Sequence, residues 1–264
     1  MMMSAWKAVY DSVCGTSHRH IAQECQDSCR VLDTSTIDGN VLVVCLADGA
    51  GSASHAALGS ELACDSFIKI IQRECNKPSF VEFVDNATLL NWCEEIRATL
   101  AERANDLGVT IRQLACTFLA AIVGESHAVF MQIGDGAIVI RTSEGFEPVF
   151  WPQSGEFAGT TNFLTDDRFH ENLTTRIIPE RIDEIAGFTD GLERLVLRFE
   201  NKSVHQPFLE PMLTVLRKVD SAEPFFEPLR QFLDSPKIND RTDDDKTLIL
   251  ATRAGKVIDD DAVP

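Results

Sequence analysis

Basic residues are scarce in this chain: 24 Lys and Arg stand against 41 Asp and Glu, a formal charge of −17. Such a field opposes loading onto nucleic acid or an anionic membrane and favours metal cations or basic partners, besides aiding solubility. The eight cysteines (14, 25, 29, 45, 64, 75, 93 and 116) form no Cys-x-x-Cys pair, and no Cys/His spacing suits zinc. Cys45 and Cys116 lie inside apolar runs, where cysteine behaves as a small core residue. No basic segment leads into an apolar one at the start. No apolar stretch reaches the roughly 18 residues needed to span a bilayer. Together these absences lead us to expect a cytoplasmic protein with reduced thiols, a monomer by default. Neither a Gly-x-Ser-x-Gly elbow nor a Gly-x-x-x-x-Gly-Lys-[Ser/Thr] loop occurs, so a serine nucleophile and a P-loop nucleotide enzyme lose their usual signatures.

What is present suits one sizeable domain. A chain of 264 residues buries roughly three quarters of its unfolded surface and needs no covalent staple. Strand-like runs begin at Trp6 to Tyr10 and Cys29 to Leu32, and Asp38-Gly39 reads as a hairpin turn. From about His55 to Cys75 the apolar residues follow three- and four-residue steps, with Ser52 or Ser54 as the cap. A second helix is expected over about Phe80 to Leu107, with Leu89, Cys93, Ile96, Leu100, Ala104 and Leu107 on one stripe. Short runs at Thr117–Val123, Ala128–Ile133, Ala137–Arg141 and Pro148–Trp151 read as an antiparallel meander. Residues 152–175 read as a long irregular connection. A strand over Ile182–Phe188, helices over about Gln206–Val219 and Phe225–Leu233, and a strand over Thr247–Thr252 complete the chain. This order suggests an α+β fold of antiparallel sheets faced by helices, over residues 1–253. The acidic end, 254–264, is expected to be a flexible tail.

The informative residues are acidic ones at strand ends. Apolar runs end in Asp48-Gly49, Asp135-Gly136 and Asp190-Gly191, and Asp243-Asp244-Asp245 precedes the last strand. Taken alone, Gly134-Asp135-Gly136 reads as a tight hairpin turn and the acidic triplet as a solvated loop. Asp48 and Asp190 resist that explanation, because a helical pattern and not a returning strand follows each. Carboxylates delivered from several strand ends can converge, and converging carboxylates repel unless a cation sits between them. Hard divalent ions such as Mg²⁺ and Mn²⁺ suit oxygen ligands, and the glycine after Asp48 would let its carbonyl reach one. Two such ions about 4 Å apart can hold a shared hydroxide and polarise a phosphoryl oxygen.

The ordered series Gln26-Asp27, Ala47-Asp48-Gly49-Ala50-Gly51, Gly134-Asp135-Gly136, Phe188-Thr189-Asp190-Gly191 and Asp244-Asp245-Lys246-Thr247 resembles the metal-dependent type 2C protein phosphatases, the PPM class. The stretch Gly155 to Thr165 resembles its bacterial-type branch. The resemblance covers about residues 10–252 and implies an α-β-β-α sandwich of two antiparallel sheets flanked by helices. It implies two Mn²⁺ or Mg²⁺ ions, with Asp48 bridging them, Gly49 offering its carbonyl, and Asp190 and Asp244 completing the ligands. Asp27 would bind metal-bound water from an outer shell, and Asp135 matches the position serving a third, weaker metal. It implies hydrolysis of phosphoserine or phosphothreonine in proteins, with a cognate kinase as a partner.

This chain departs from the family pattern at three places. Ala50 stands where many members carry a histidine proton donor; His55 is near but unaligned. Ala22 stands where members commonly hold phosphate with arginine, which leaves Arg19 as the candidate phosphate ligand, with His18 beside it. Glu193 and Arg194 occupy the neighbourhood of a second third-metal carboxylate. A catalytically silent relative that binds a phosphoprotein or kinase as an adaptor is the alternative reading.

Overall fold

The computed structural model describes residues 6–154 and 161–253. The expected acidic tail and most of the Gly155 to Thr165 stretch fall outside those residues. The strands are β1 (Trp6–Val13), β2 (Asp27–Thr36), β3 (Gly39–Asp48), β4 (Phe118–Val123), β5 (Ala128–Ile133), β6 (Ala137–Thr142), β7 (Gly145–Pro148), β8 (Thr174–Ile178), β9 (Glu184–Phe188), β10 (Leu197–Arg198), β11 (Ser203–Val204) and β12 (Lys246–Arg253). The helices are α1 (Thr16–His20), α2 (Ala56–Glu74), α3 (Asn86–Leu107), α4 (Phe169–Asn172), α5 (Glu193–Val196), α6 (Gln206–Lys218), α7 (Phe226–Leu233) and α8 (Pro236–Asn239).

Ten strands make two five-stranded antiparallel sheets, ordered β1-β12-β9-β6-β7 and β2-β3-β4-β5-β8. Side chains alternate across a strand, so each buried strand feeds two layers. Along β3, Val43, Cys45 and Ala47 pack under α2 and α3 with Phe67, Ile71, Leu89 and Ile96. Leu42, Val44 and Leu46 point the other way, against Ile138, Ile185 and Ile249 of the second sheet. In β12, Ile249 and Ala251 face the first sheet, while Leu248 and Leu250 meet Leu209, Leu213 and Leu229 of α6 and α7. Three apolar layers between four structural layers give the expected α-β-β-α sandwich.

Local chemistry sets the boundaries, and it moves several of the expected ones. Residues 80–85 are not helical; α3 starts after Asp85, whose carboxylate accepts from the Thr88 backbone N–H at 2.8 Å. A capping carboxylate there outweighs the apolar residues before it. Gly108 ends α3 in a left-handed turn at φ 69°. Neither Ser52 nor Ser54 caps α2, because His55 stands at the cap and the Ser54 hydroxyl pairs with His55 Nδ1. The last strand of the expected meander lies earlier, at Gly145–Pro148, where Gly145 turns at φ 117°. Edge strand β8 occupies the end of the connection read as irregular; its partly exposed Thr-Thr-Arg-Ile-Ile run lacks a buried face.

The Gly134-Asp135-Gly136 segment is not a hairpin. Strand β5 pairs with β4 and β8, whereas β6 pairs with β7 and β9, so the segment crosses from one sheet to the other. Asp38-Gly39, in contrast, closes the β2–β3 hairpin with Gly39 at φ 123°.

The inter-sheet layer yields a direct stability prediction. Ile249 is fully buried there, so Ile249→Ala is expected to cost about 2–5 kcal/mol in urea unfolding. A loss under about 1 kcal/mol would contradict its place between the sheets.

Candidate metal centre

Antiparallel pairing puts the relevant strand ends at one end of the sandwich. Asp27 opens β2 directly across from Asp48, which closes β3. Asp135 lies on the sheet-to-sheet crossing, Asp190 follows β9, and Asp244 precedes β12. Asp48, Asp135 and Asp190 each offer a carboxylate oxygen within 4.8 Å of the others. Asp244 lines the same cavity, of about 1140 Å³, together with Gly49 and Ala50. Asp135 is thus as tightly gathered as Asp48 and Asp190, since the crossing between sheets carries it inward.

The backbone that presents these groups is held at several points. Thr117 fixes Asp48 twice, its hydroxyl accepting from Asp48 N–H at 2.9 Å and its own N–H donating to Asp48 C=O at 2.8 Å. Asp27 Oδ2 accepts from the hydroxyls of Thr189, at 2.7 Å, and Thr247, at 2.8 Å. Its Oδ1 is equally buried and has no hydrogen-bond partner, and neither does Asp135 Oδ1. Lys246, wholly buried, donates to Asn239 Oδ1 at 3.0 Å and to the Asp244 carbonyl at 3.2 Å.

Asp245 has a separate task. Its carboxylate accepts from the N–H groups of Gly15 and Gln26, both at 2.6 Å, and meets His18 Nδ1 at 2.9 Å. Cys14, His18 and Asp245 also gather, within the same 4.8 Å limit, but Asp245 there ties β1, α1 and β2 to the acidic loop. Two glycines make that loop possible. A Cβ on Gly191 would lie 1.9 Å from the Asp245 carbonyl oxygen, and one on Gly15 would lie 2.4 Å from the Asp243 carbonyl oxygen. Only a bare backbone passes at these distances.

The electrostatics of the cluster are adverse. Burial, and then the charges of Asp27, Asp190, Asp244 and Asp135, hold the Asp48 carboxyl well above the usual carboxylate range. Asp27 is pushed up to about 7 by burial, in spite of its threonine partners. Asp190 is pushed up to about 8, by burial and then by Asp135 and Asp244. Partial shielding also raises Asp135 and the more open Asp244. Among the described residues none of these five carboxylates has an ion-pair partner. An all-oxygen donor set with orphaned buried oxygens fits a hard divalent cation.

Sequence and structure are similar to known proteins along almost the whole chain. The family model described as Protein phosphatase 2C matches residues 14–234. The chain belongs to the protein phosphatase 2C family. The serine/threonine-protein phosphatase 3 of Escherichia coli is 35% identical over 250 residues, covering 94% of this chain and 98% of that protein. A bacterial serine phosphatase superposes with TM-score 0.63 at 18% identity, covering 95% of this chain and 99% of its own. The serine/threonine phosphatase of Staphylococcus aureus gives TM-score 0.60 at 17% identity, with 97% and 96% covered.

Against the 2C-family expectations, Asp48, Gly49, Asp135, Asp190 and Asp244 line one cavity, Asp27 stands behind it across the ladder from Asp48, and Arg19 does not join them. Its guanidinium pairs with Asp234 at 2.7 Å on the outer surface, since α1 turns Ser17 and His18 to the cavity instead. Ala22 sits in the left-handed turn that ends α1, at φ 54°, with no group to offer a phosphate. His55 is absent from the cavity lining; His18 is the one imidazole there among the described residues. Sequence reasoning missed Thr117, Thr189, Thr247 and Asp245 as the groups that hold the cluster. Thr189 and Thr247 flank the acidic motifs directly, and that adjacency was the available signal.

The raised carboxyls predict a pH dependence in the metal-free protein. A carboxyl that titrates higher in the fold than its usual value near 3.8 opposes folding increasingly as pH rises between the two. In EDTA, Asp190→Asn removes that opposition. The variant's Tm is therefore expected to gain on the wild type from about pH 4 to about pH 8, by roughly 2–4 °C per kcal/mol relieved. A Tm difference that stays flat with pH would show that the cluster is not strained by charge.

Proposed function

We propose that this protein is a metal-dependent phosphoprotein phosphatase that hydrolyses phosphoserine and phosphothreonine. The observation that carries this reading is the convergence of Asp48, Asp135 and Asp190, none with an ion-pair partner among the described residues, in one cavity with Asp244 and with Asp27 across the ladder from Asp48. Family membership supports it, and so does the printed name of the Escherichia coli relative, a serine/threonine-protein phosphatase. Five acidic side chains kept together at an electrostatic cost favour the enzyme over a silent adaptor; the adaptor's support is confined to Ala50 and Ala22, which lack the family's proton donor and phosphate ligand.

In this reading Asp48, Asp190, Asp244 and the Gly49 carbonyl hold a pair of Mn²⁺ or Mg²⁺ ions. Such ions, when bound, acidify a water and polarise a phosphoryl oxygen. Asp27, fixed by Thr189 and Thr247, has one oxygen left to orient a water of the site. Asp135 shares the cavity with Glu193, whose carboxyl is raised by burial and by Asp135 itself. That pair suits an auxiliary cation. Ala50 and the glycines beside it leave the cavity open enough for a phosphorylated side chain, with no protein nucleophile required.

We read residues 1–253 as one catalytic domain working as a monomer, with a Ser/Thr kinase as its functional opposite. Eight free cysteines support a reducing, cytoplasmic setting. No helix among the described residues is long and apolar enough to cross a membrane.

Hydrolysis of p-nitrophenyl phosphate tests the reading. With Mn²⁺ the protein is expected to turn over, EDTA to stop it, and Asp48→Asn to lower kcat/KM by about a hundredfold or more, the scale of losing a transition-state electrostatic contact. Equal background rates in all three conditions would refute the enzyme.

A further inference from the structure

Resting on the phosphatase reading above, the geometry points to a cationic rim, Arg194 and Lys202 backed by Trp151 and Phe199, that selects phosphorylated segments carrying carboxylate side chains beside the phosphorylated residue. The cavity interior is lined by acidic groups, Asp48, Asp135, Asp190, Glu193, Asp243 and Asp244. Arg194 and Lys202 are the only Lys or Arg side chains in that lining among the described residues. Both come from one short region after Asp190, α5 and the β10–β11 hairpin, and both are exposed.

Neither cation is committed to the protein. Arg194 is 86% exposed on its side chain, and its nearest acid is Glu193, at a long 3.8 Å. Lys202 has no ion pair among the described residues and sits in the left-handed region, at φ 51°. That conformation favours glycine, so a lysine there is held against local preference. The neighbouring Arg198 behaves differently: it turns to His205, at 2.7 Å, and leaves the cavity.

The same hairpin carries Phe199, 46% exposed, packed edge-on against Trp151 with ring centroids 5.2 Å apart. The two rings form an apolar wall at the cavity mouth, where a peptide backbone leaving the site can rest. Charge complementarity decides what suits this rim. A protein of net charge −17 repels acidic segments over most of its surface, so a carboxylate-flanked substrate finds attraction only where the exposed cations project. A lysine-flanked segment would set its cations against Arg194 and Lys202, and like charges there disfavour it.

Binding separates this inference from catalysis. Two fluorescent peptides with a non-hydrolysable phosphonate in place of phosphoserine, one flanked by glutamates and one by lysines, are titrated onto the Mn²⁺-loaded protein by anisotropy at low salt. The wild type is expected to prefer the glutamate peptide by about fivefold or more. The double variant Arg194→Glu/Lys202→Glu is expected to invert the preference, and Arg194→Gln/Lys202→Gln to abolish it, with thermal melts confirming the fold of each. Phe199→Ser should weaken both peptides by a common factor. A wild type without preference, a preference the charge changes leave in place, or no binding of either peptide would overturn the rim. Turnover of the matching phosphopeptides is read separately. Its absence alongside an intact binding preference would refute the phosphatase and leave the rim standing.

Discussion

Mutual repulsion among carboxylates is the constraint around which this molecule is arranged. Asp27, Asp48, Asp135 and Asp190 are drawn into one end of a sandwich where burial alone already opposes their ionisation, and the charges of Asp27, Asp190, Asp244 and Asp135 raise Asp48 further. A fold tolerates this only if the backbone cannot relax and the relief comes from outside the chain. The fold itself meets the first condition. Two antiparallel sheets fix the strand ends, threonine hydroxyls lock Asp27 and Asp48, and glycines at 15 and 191 let the acidic loop close over the end of β9. The relief fits a hard divalent cation, because every exposed donor in the cluster is oxygen.

The remainder of the structure follows from building that end rigidly. Alternate residues of β3 and β12 serve two apolar layers each, so the strands cannot slide without moving a whole face from core to water. Sliding by one residue would also separate Asp27 from Asp48. Asp245 adds a clamp of its own, since its carboxylate gathers two backbone N–H groups and His18 from the segment between β1 and β2. Precision in the cluster is thus inherited from strand register and a few buried hydrogen bonds, and little of it is left to flexible side chains.

Much of this was legible in the sequence, for identifiable reasons. Long periodic helices such as α2 and α3 and fully apolar strands such as β3 and β12 announce themselves, because burial dictates both their composition and their period. Asp48 and Asp190 stood out because an apolar run, an acid, a glycine and then a helical pattern has no hairpin explanation. Less legible were features decided by long-range pairing. Nothing local distinguishes a hairpin at Asp135 from a crossing between sheets; β5 and β6 reveal it only by pairing with β8 and β9. Edge strand β8 is half-exposed and lacks a hydrophobic face. Arg19 looked suited to phosphate by position in the chain, yet α1 points it at Asp234, and the exposed cations at the cavity mouth come from Arg194 and Lys202 far along the sequence. The β10–β11 hairpin is too short for any periodic signal.

The central claim is that the clustered carboxylates exist to hold divalent cations. Crystals grown with Mn²⁺ and measured at its absorption edge test this most directly. The account predicts two strong anomalous peaks at the cavity end, both in contact with Asp48, with Asp190 and Asp244 completing the coordination of one. Density that places no Mn²⁺ on Asp48, or that finds the ion only at surface acids elsewhere, would contradict it.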